Sequence, residues 1–227
     1  MKYAVMGTAT VGRAIAGRLD GLGHEVTMGT RDPGATRSRA TPDAYGNPPW
    51  SAWSAAHPGV ALATFAEAAG AAEVLVNATS GTASVAVFSE LPASTVEGKT
   101  VIDIANPLDF SRGMPPTLDP VDTDSLGEQL QRAMPAARVV KTLNTMSAHL
   151  MVAPTTLAGD HTVFVSGDDA AAKGAVTALL VEFGWSAASI VDVGDITTAR
   201  GTEMLLPLWL RLWGAFGNAD FNFHIQR

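Results

Sequence analysis

The stretch that decides the fold begins Tyr3-Ala4-Val5-Met6-Gly7-Thr8-Ala9-Thr10-Val11-Gly12-Arg13-Ala14 and, past Leu22 and Gly23-His24-Glu25, continues as Val26-Thr27-Met28-Gly29-Thr30-Arg31. Tyr3 to Met6 reads as a buried strand, Val11 to Leu22 as a helix and Glu25 to Met28 as a second strand. The turn between the first strand and the helix is Gly7-Thr8-Ala9-Thr10-Val11-Gly12. In a dinucleotide-binding turn the first glycine makes the tight bend, the second lets backbone approach the pyrophosphate, and the third lets the helix pack closely on the strand. The phosphates then lie on the helix N-terminus, where free N–H groups and the helix dipole favour negative charge. Ala9 stands at the second glycine position and adds a methyl at the point of closest approach, while Thr8 and Thr10 bring hydroxyl donors. Gly7, Thr8, Ala9, Thr10, Val11 and Gly12 are therefore assigned to a cofactor phosphate loop. The competing reading is a strand–turn–helix corner that merely needs small residues.

The end of the second strand selects the cofactor. An NAD-binding chain would place Asp or Glu there for the ribose 2′-hydroxyl, and here the position is Thr30, followed by Arg31. A carboxylate would repel a 2′-phosphate, whereas a hydroxyl beside a guanidinium would bind it. Arg37 and Arg39 follow in the next loop and join the candidate set. Asp32-Pro33 reads as the start of a turn. NADP(H) is favoured over NAD(H).

Strand-like and helix-like segments go on alternating, which argues for a parallel sheet flanked by helices. Thr64-Phe65-Ala66-Glu67 and Ser125-Leu126-Gly127-Glu128 have capping-box spacing and each should open a helix. Glu73 to Asn77, Thr100 to Ile104 and Arg138 to Lys141 read as further strands. After Leu150 come a strand over His161 to Ser166, a helix over Asp168 to Phe183 and a strand over Ser189 to Val193. An apolar helix over Thr198 to Gly214 follows, kinked at Pro207, and then an aromatic tail from Phe216 to His224. The fold expected is α/β, a Rossmann-type doubly wound parallel sheet with a small carboxyl-terminal α/β extension. Residues 1–150 form the NADP-binding domain and 151–227 a substrate and dimerisation domain. Pro33 to Pro58, rich in Pro, Gly, Ser and Thr and carrying Trp50 and Trp53, is expected to be a long loop insertion.

Composition narrows the function. The 227 residues are 47% hydrophobic and 16% charged, an ordinary globular balance. There is no cysteine, hence no disulfide, thiolate metal site or cysteine nucleophile, and no metal site is expected. The formal net charge of −7 lacks the basic footprint of a nucleic-acid binder. Met204 to Phe216 is short and interrupted by Arg211, too little to span a bilayer. The chain enters a strand directly after Met1, with no leader pattern, and a cytoplasmic location is expected.

In such sheets ligands meet the loops at the carboxyl ends of the strands. Asn77-Ala78-Thr79, Ala105-Asn106-Pro107 and Asn144-Thr145-Met146 follow three of the strands at one sheet edge. Each alone is compatible with ordinary turn chemistry; together they favour a site. Lys141 is read as a surface or sheet-end structural residue rather than a catalytic one. His149 either faces the substrate or is a solvated loop histidine. Asp122 and Asp124 suit a helix start. Neither Tyr3 nor Tyr45 has a lysine four residues on, and Lys173 is followed one helical turn later by Thr177. The short-chain and β-hydroxyacid dehydrogenase patterns are thus absent, and no catalytic residue is assigned. Direct hydride transfer between two redox rings, where protein supplies binding and orientation, suits that silence.

Met6-Gly7-Thr8-Ala9-Thr10-Val11-Gly12-Arg13-Ala14, Gly23-His24-Glu25-Val26, Gly29-Thr30-Arg31-Asp32 and Val139-Val140-Lys141-Thr142-Leu143-Asn144-Thr145-Met146-Ser147-Ala148 resemble the deazaflavin (coenzyme F-420)-dependent NADP reductase family. That family shares its amino-terminal domain with pyrroline-5-carboxylate reductases, and the same segments are similar to the NADPH domain of the STEAP ferric reductases. The Pro207-bearing helix and the Phe216 to Phe223 tail resemble the carboxyl terminus of the deazaflavin enzymes. The resemblance implies hydride transfer between NADP(H) and coenzyme F-420 or a flavin. It places the nicotinamide ribose and carboxamide near Ala105, Asn106 and Pro107. Asn144, Thr145, Met146, His149 and Pro207 are the candidate substrate residues. The family has glycine at the position of Ala9, and the 33–58 insertion lies outside the resemblance. The alternatives are an NADPH-dependent flavin or ferric reductase and a non-catalytic NADP(H) redox sensor. Met204, Leu205, Leu206, Trp209 and Trp213 form an apolar helix face, expected to mediate a homodimer.

Overall fold

The computed structural model describes residues 1–42 and 46–226. Residues 43–45 of the insertion, Tyr45 among them, and Arg227 lie outside the described residues. Strand β1 (Lys2–Met6) leads through the glycine turn to α1 (Thr10–Gly21) and β2 (Glu25–Thr30). The insertion contains α2 (Pro33–Arg37) and α3 (Trp50–Ala56), and β3 (Val60–Thr64), α4 (Phe65–Ala71), β4 (Val74–Asn77) and α5 (Gly81–Ser89) follow. After β5 (Thr100–Asp103) a two-stranded ribbon, β6 (Leu108–Asp109) and β7 (Thr117–Leu118), precedes α6 (Leu126–Ala133), β8 (Arg138–Thr142) and α7 (Ala148–Val152). The chain ends in β9 (Val163–Ser166), α8 (Ala170–Phe183), β10 (Ile190–Gly194) and α9 (Ala199–Phe216).

Eight strands make one sheet in the order β10-β9-β8-β5-β4-β1-β2-β3. From β3 to β8 all pairings are parallel, the doubly wound arrangement expected of a Rossmann-type fold. β9 runs antiparallel to β8 and β10 parallel to β9, so the carboxyl-terminal strands extend the same sheet. The sheet separates two apolar layers. One gathers Ile15, Ala16 and Leu19 of α1 with Val176, Leu180 and Phe183 of α8. The other gathers Ala68 and Ala69 of α4 with Phe88 of α5 and Leu126 and Leu130 of α6.

Local signals account for most boundaries. Thr64 caps α4 in a full capping box with Glu67, and Ser125 accepts from the Glu128 N–H at the start of α6. Asp169 caps α8, which ends at Gly184 in the left-handed conformation. Asp32 accepts from the Ala35 N–H and caps α2, so the expected turn at Asp32-Pro33 opens a short helix.

One reading of the sequence needs correction, and two elements were not read from it. Pro33 to Pro58 is not one long loop: α2 and α3 fold within it, because Asp32 caps the first and Trp50 buries itself at the start of the second. Val60–Thr64 is an edge strand paired with β2, which a short, half-apolar Val-Ala-Leu-Ala-Thr run did not announce. Gly81–Ser89 is a helix whose small, uncharged residues carry little amphipathic pattern.

Candidate functional site

The winding of the sheet reverses between β1 and β4, which places the crevice for a ligand beyond their carboxyl ends. The glycine turn sits there. Gly7 has φ +116°, and a Cβ on it would stand 2.4 Å from the Ala78 carbonyl oxygen. A Cβ on Gly12 would stand 2.2 Å from the Gly7 carbonyl oxygen, so neither position admits a side chain. Ala9 is exposed at the N-cap of α1 in an extended conformation (φ −86°, ψ −171°), and its side chain makes no capping hydrogen bond. The first N–H groups of α1 are thus left for an anion, and this cradle fits the phosphates of a dinucleotide.

A cleft of about 310 Å³ opens over this turn. Gly7, Thr8 and Ala9 line it from the turn, Thr30 and Arg31 from the end of β2, and Ala78 and Thr79 from the end of β4. Thr30 is 7% exposed and its hydroxyl lies 3.0 Å from that of Thr36, which orients it from behind. Arg31 is exposed at the rim, and Arg39 reaches the same cleft from the insertion. Thr30, Arg31 and Arg39 therefore border one cleft, with the Asp32 carboxylate engaged in capping α2. Arg37 does not join them: its guanidinium donates to the Leu62 carbonyl on β3.

Asn77 also stands outside the cleft. Its side chain is fully buried, accepts from the Thr79 N–H and hydroxyl, and donates to Ser84 Oγ at 3.0 Å and Asp103 Oδ1 at 2.9 Å. Asn77 shapes the loop that presents Ala78 and Thr79. At the next strand end, Asn106 donates to the Asn144 carbonyl at 2.8 Å and accepts from the Asn144 amide at 3.0 Å. That reciprocal pair joins two of the loops singled out in the sequence. Gly81 packs beneath them, since a Cβ there would lie 2.0 Å from the Asn106 carbonyl oxygen. Asn144, Thr145 and Met146 are all buried, and Thr145 Oγ1 has no hydrogen-bond partner among the described residues. Ala105 and Pro107 flank Asn106 without reaching the 310 Å³ cleft. His149 is half-exposed, 3.0 Å from Asp220 in the tail, and Pro207 is exposed on α9, which runs unbroken past it.

Lys141 is not on the surface. Its ammonium is fully buried at the end of β8, 2.8 Å from Asp103 Oδ2 and 2.8 Å from Glu203 Oε1, and it also donates to the Ala105 carbonyl. Burial alone would push the lysine down, but Asp103 and Glu203 outweigh it and hold the ammonium above the ordinary lysine value. Burial pushes the Glu203 carboxyl up, against the pull of Lys141. Glu203 also accepts the N–H groups of Leu126 and Gly127 at the start of α6. The triad ties β5, β8, α6 and α9 together behind the strand-end loops. Lys141 is therefore a structural residue of the sheet end, as one branch of the sequence reading had it.

Sequence reasoning missed Arg13 and Phe65, which line the cleft, whereas Trp50, which the sequence left as either a ligand cover or a pin for the loop, lines it too. A signal for Arg13 existed, because one helical turn after Ala9 it must stand over the same rim. None existed for Asp103 and Glu203, whose separation of 100 residues hides their meeting.

The comparisons agree with this geometry. Residues 2–107 match the model of the family described as NADP oxidoreductase, coenzyme F420-dependent. The solved structure of a candidate F420-dependent NADP reductase from Arthrobacter sp. FB24 is 60% identical, with a TM-score of 0.94 over 100% of both chains. The metalloreductase STEAP3 of Rattus norvegicus is 29% identical over 92% of this chain, which spans only 38% of that protein. A reductive aminase from Aspergillus terreus, solved with NADPH and ethyl levulinate, shares the fold at a TM-score of 0.62 and 21% identity, over 95% of this chain and 62% of its own. Among the described residues no helix is long and apolar enough to cross a membrane. With its glycine turn, its arginine-lined cleft and a 60% identical relative covered from end to end, the chain belongs to the coenzyme F420-dependent NADP oxidoreductase family and is an NADP-dependent oxidoreductase.

Proposed function

We propose that this protein transfers a hydride between NADP(H) and the flat ring of coenzyme F420. The observation that carries the cofactor half is the meeting of Thr30, Arg31 and Arg39 in one cleft with the glycine turn. The nicotinamide supplies the hydride chemistry when bound. The chain's own part is to hold and orient: Ala78 and Thr79 border the cofactor's path, and the paired Asn106 and Asn144 fix the two loops toward which the nicotinamide end points. Lys141, behind those loops, is locked between two carboxylates and is not offered for proton transfer. A ring-to-ring hydride transfer needs no such group, and orientation of the two rings is then the main source of rate.

The likeness to a metalloreductase favours a second reading, reduction of Fe(III) or a flavin by NADPH. Steady-state oxidation of NADPH in the presence of coenzyme F420, free flavin or chelated Fe(III), each alone, separates the two. Turnover with coenzyme F420 well above the other two supports the proposal. Turnover with Fe(III) or flavin alone replaces it with the second reading. NADPH binding without oxidation by any of the three would leave a sensor.

The apolar stretch of α9 from Met204 onward suits a twofold homodimer. Met204, Leu208, Trp213 and Phe216 are each 40–56% exposed, while Trp209 stacks on Trp213 and on Phe221 of the tail. The tail itself folds back, with Asn222 donating to the Thr162 carbonyl and Thr162 donating to that of Phe223. A contiguous apolar face of this kind marks an interaction surface, and twofold dimers are the commonest closed assembly.

A further inference from the structure

The insertion between β2 and β3 is built onto the phosphate loop. Its second helix, α3, lies against α1: Trp50 is 4% exposed, and Trp53 stands 5.1 Å from the Trp50 ring and 4.5 Å from the His57 ring. The His57 ring presses on α1 where Gly17 leaves room, since a Cβ there would come within 2.9 Å of His57 Cε1. This anchoring carries residues 47 and 48 across the start of α1. Asn47 Nδ2 donates to Thr10 Oγ1 at 2.6 Å, and the Pro48 carbonyl accepts from Arg13 Nη1. On its other side Arg13 donates from Nε to the Thr8 carbonyl at 2.8 Å. Its guanidinium carbon lies 5.9 Å from the Trp50 ring centre and 6.0 Å from that of Trp53. A cation that is only 9% exposed is thus held on the wall of the cleft between the phosphate loop and the insertion.

Ala9 gives that cation a purpose. Its methyl keeps a pyrophosphate farther from the first N–H groups of α1 than a glycine would, which weakens the helix-terminus contribution. Arg13 lies one turn on, its N–H bonded to the Ala9 carbonyl and its side chain on the cleft wall beside the phosphate loop.

We propose that residues 46–53 are a strap whose role is to fix the Arg13 guanidinium as a pyrophosphate-holding group, replacing the contact that Ala9 weakens. The proposal rests on the reading of the 310 Å³ cleft as the NADP(H) site. It has a distinct signature, because the pyrophosphate is common to NADPH and NADH whereas the 2′-phosphate belongs to NADPH alone.

The experiment is calorimetric titration of NADPH and of NADH into the unmodified protein, Arg13→Gln and Arg31→Ala. Arg13→Gln should weaken both cofactors by a similar factor, about tenfold or more for a lost charge-assisted contact, while Arg31→Ala weakens NADPH alone. Ala9→Gly added to Arg13→Gln should recover part of the loss for both. If Arg13→Gln loses its cooperative melt, Arg13→Lys, which keeps the charge without the fork that grips two carbonyls, reads the same comparison. It should show a parallel but smaller weakening. Unchanged affinities in a folded Arg13 variant, a loss confined to NADPH, or no recovery with Ala9→Gly would each overturn the proposal. An unmodified protein that binds neither cofactor would overturn the reading of the cleft itself.

Discussion

Replacing Lys141 by methionine removes the only cation from the Asp103–Lys141–Glu203 triad while keeping the length of the side chain. Both carboxylates stay buried, with side-chain exposures of 0% and 3%. Breaking a buried ion pair from one side costs about 3–5 kcal/mol, because the remaining charge is stranded rather than rehydrated. Two effects hold the loss within that range. Asp103 keeps the Asn77 amide and the Ala105 N–H, and Glu203 keeps the N–H groups of Leu126 and Gly127. With a urea slope of about 3 kcal/mol per molar for a chain of this size, the unfolding midpoint should fall by roughly 1–1.7 M. The loss should also depend on pH. The Glu203 carboxyl is raised above its ordinary value of 4.5 by burial, and without Lys141 it rises further. Between 4.5 and the raised value the folded state binds more protons than the unfolded one, so stability increases as pH falls through that window. Urea melts of the two proteins from neutral pH down towards 4.5 make the assay, and the gap between them should narrow on acidification. A midpoint shift worth less than about 1 kcal/mol at neutral pH, or a gap that ignores pH, would refute a charged, mutually dependent triad.

Other outcomes follow from the same geometry. Arg31→Ala should cost NADPH about 1.5–3 kcal/mol of binding and leave NADH nearly unchanged, as read from the two dissociation constants; equal affinities for the two cofactors in the unmodified protein would contradict the assignment. Ala9→Val should abolish cofactor binding yet preserve the melting temperature, because Ala9 is exposed with backbone angles that valine adopts readily; normal NADPH binding would place the pyrophosphate elsewhere. Light scattering at micromolar concentration should give a dimer mass, and Trp209→Glu with Trp213→Glu should give a monomer. A dimer that survives both changes puts the interface away from α9.

The order of residues was enough to define the Rossmann half of this protein, and the reason is local. Tyr3–Met6, the glycine turn and α1 are contiguous, so sterics at Gly7 and Gly12, the helix start and the strand pattern are all written in one short stretch. The same holds for Thr30-Arg31 at the end of β2, for the capping box at Thr64 and for the cap at Ser125. What depends on distant partners was hidden. Asn77 looks like a cofactor contact from its place after a strand, but Asp103 and Ser84 claim its amide. Lys141 looks like an exposed strand-end cation until β5 brings Asp103 and α9 brings Glu203 to within 2.8 Å. The insertion reads as a loop because Pro, Gly and Ser dominate it, while its order comes from burying Trp50 against α1 and from the carbonyl of Pro48 meeting Arg13. Propensity acts over a few residues, whereas burial and charge pairing act between whichever residues the chain brings together; only the tertiary structure decides which those are.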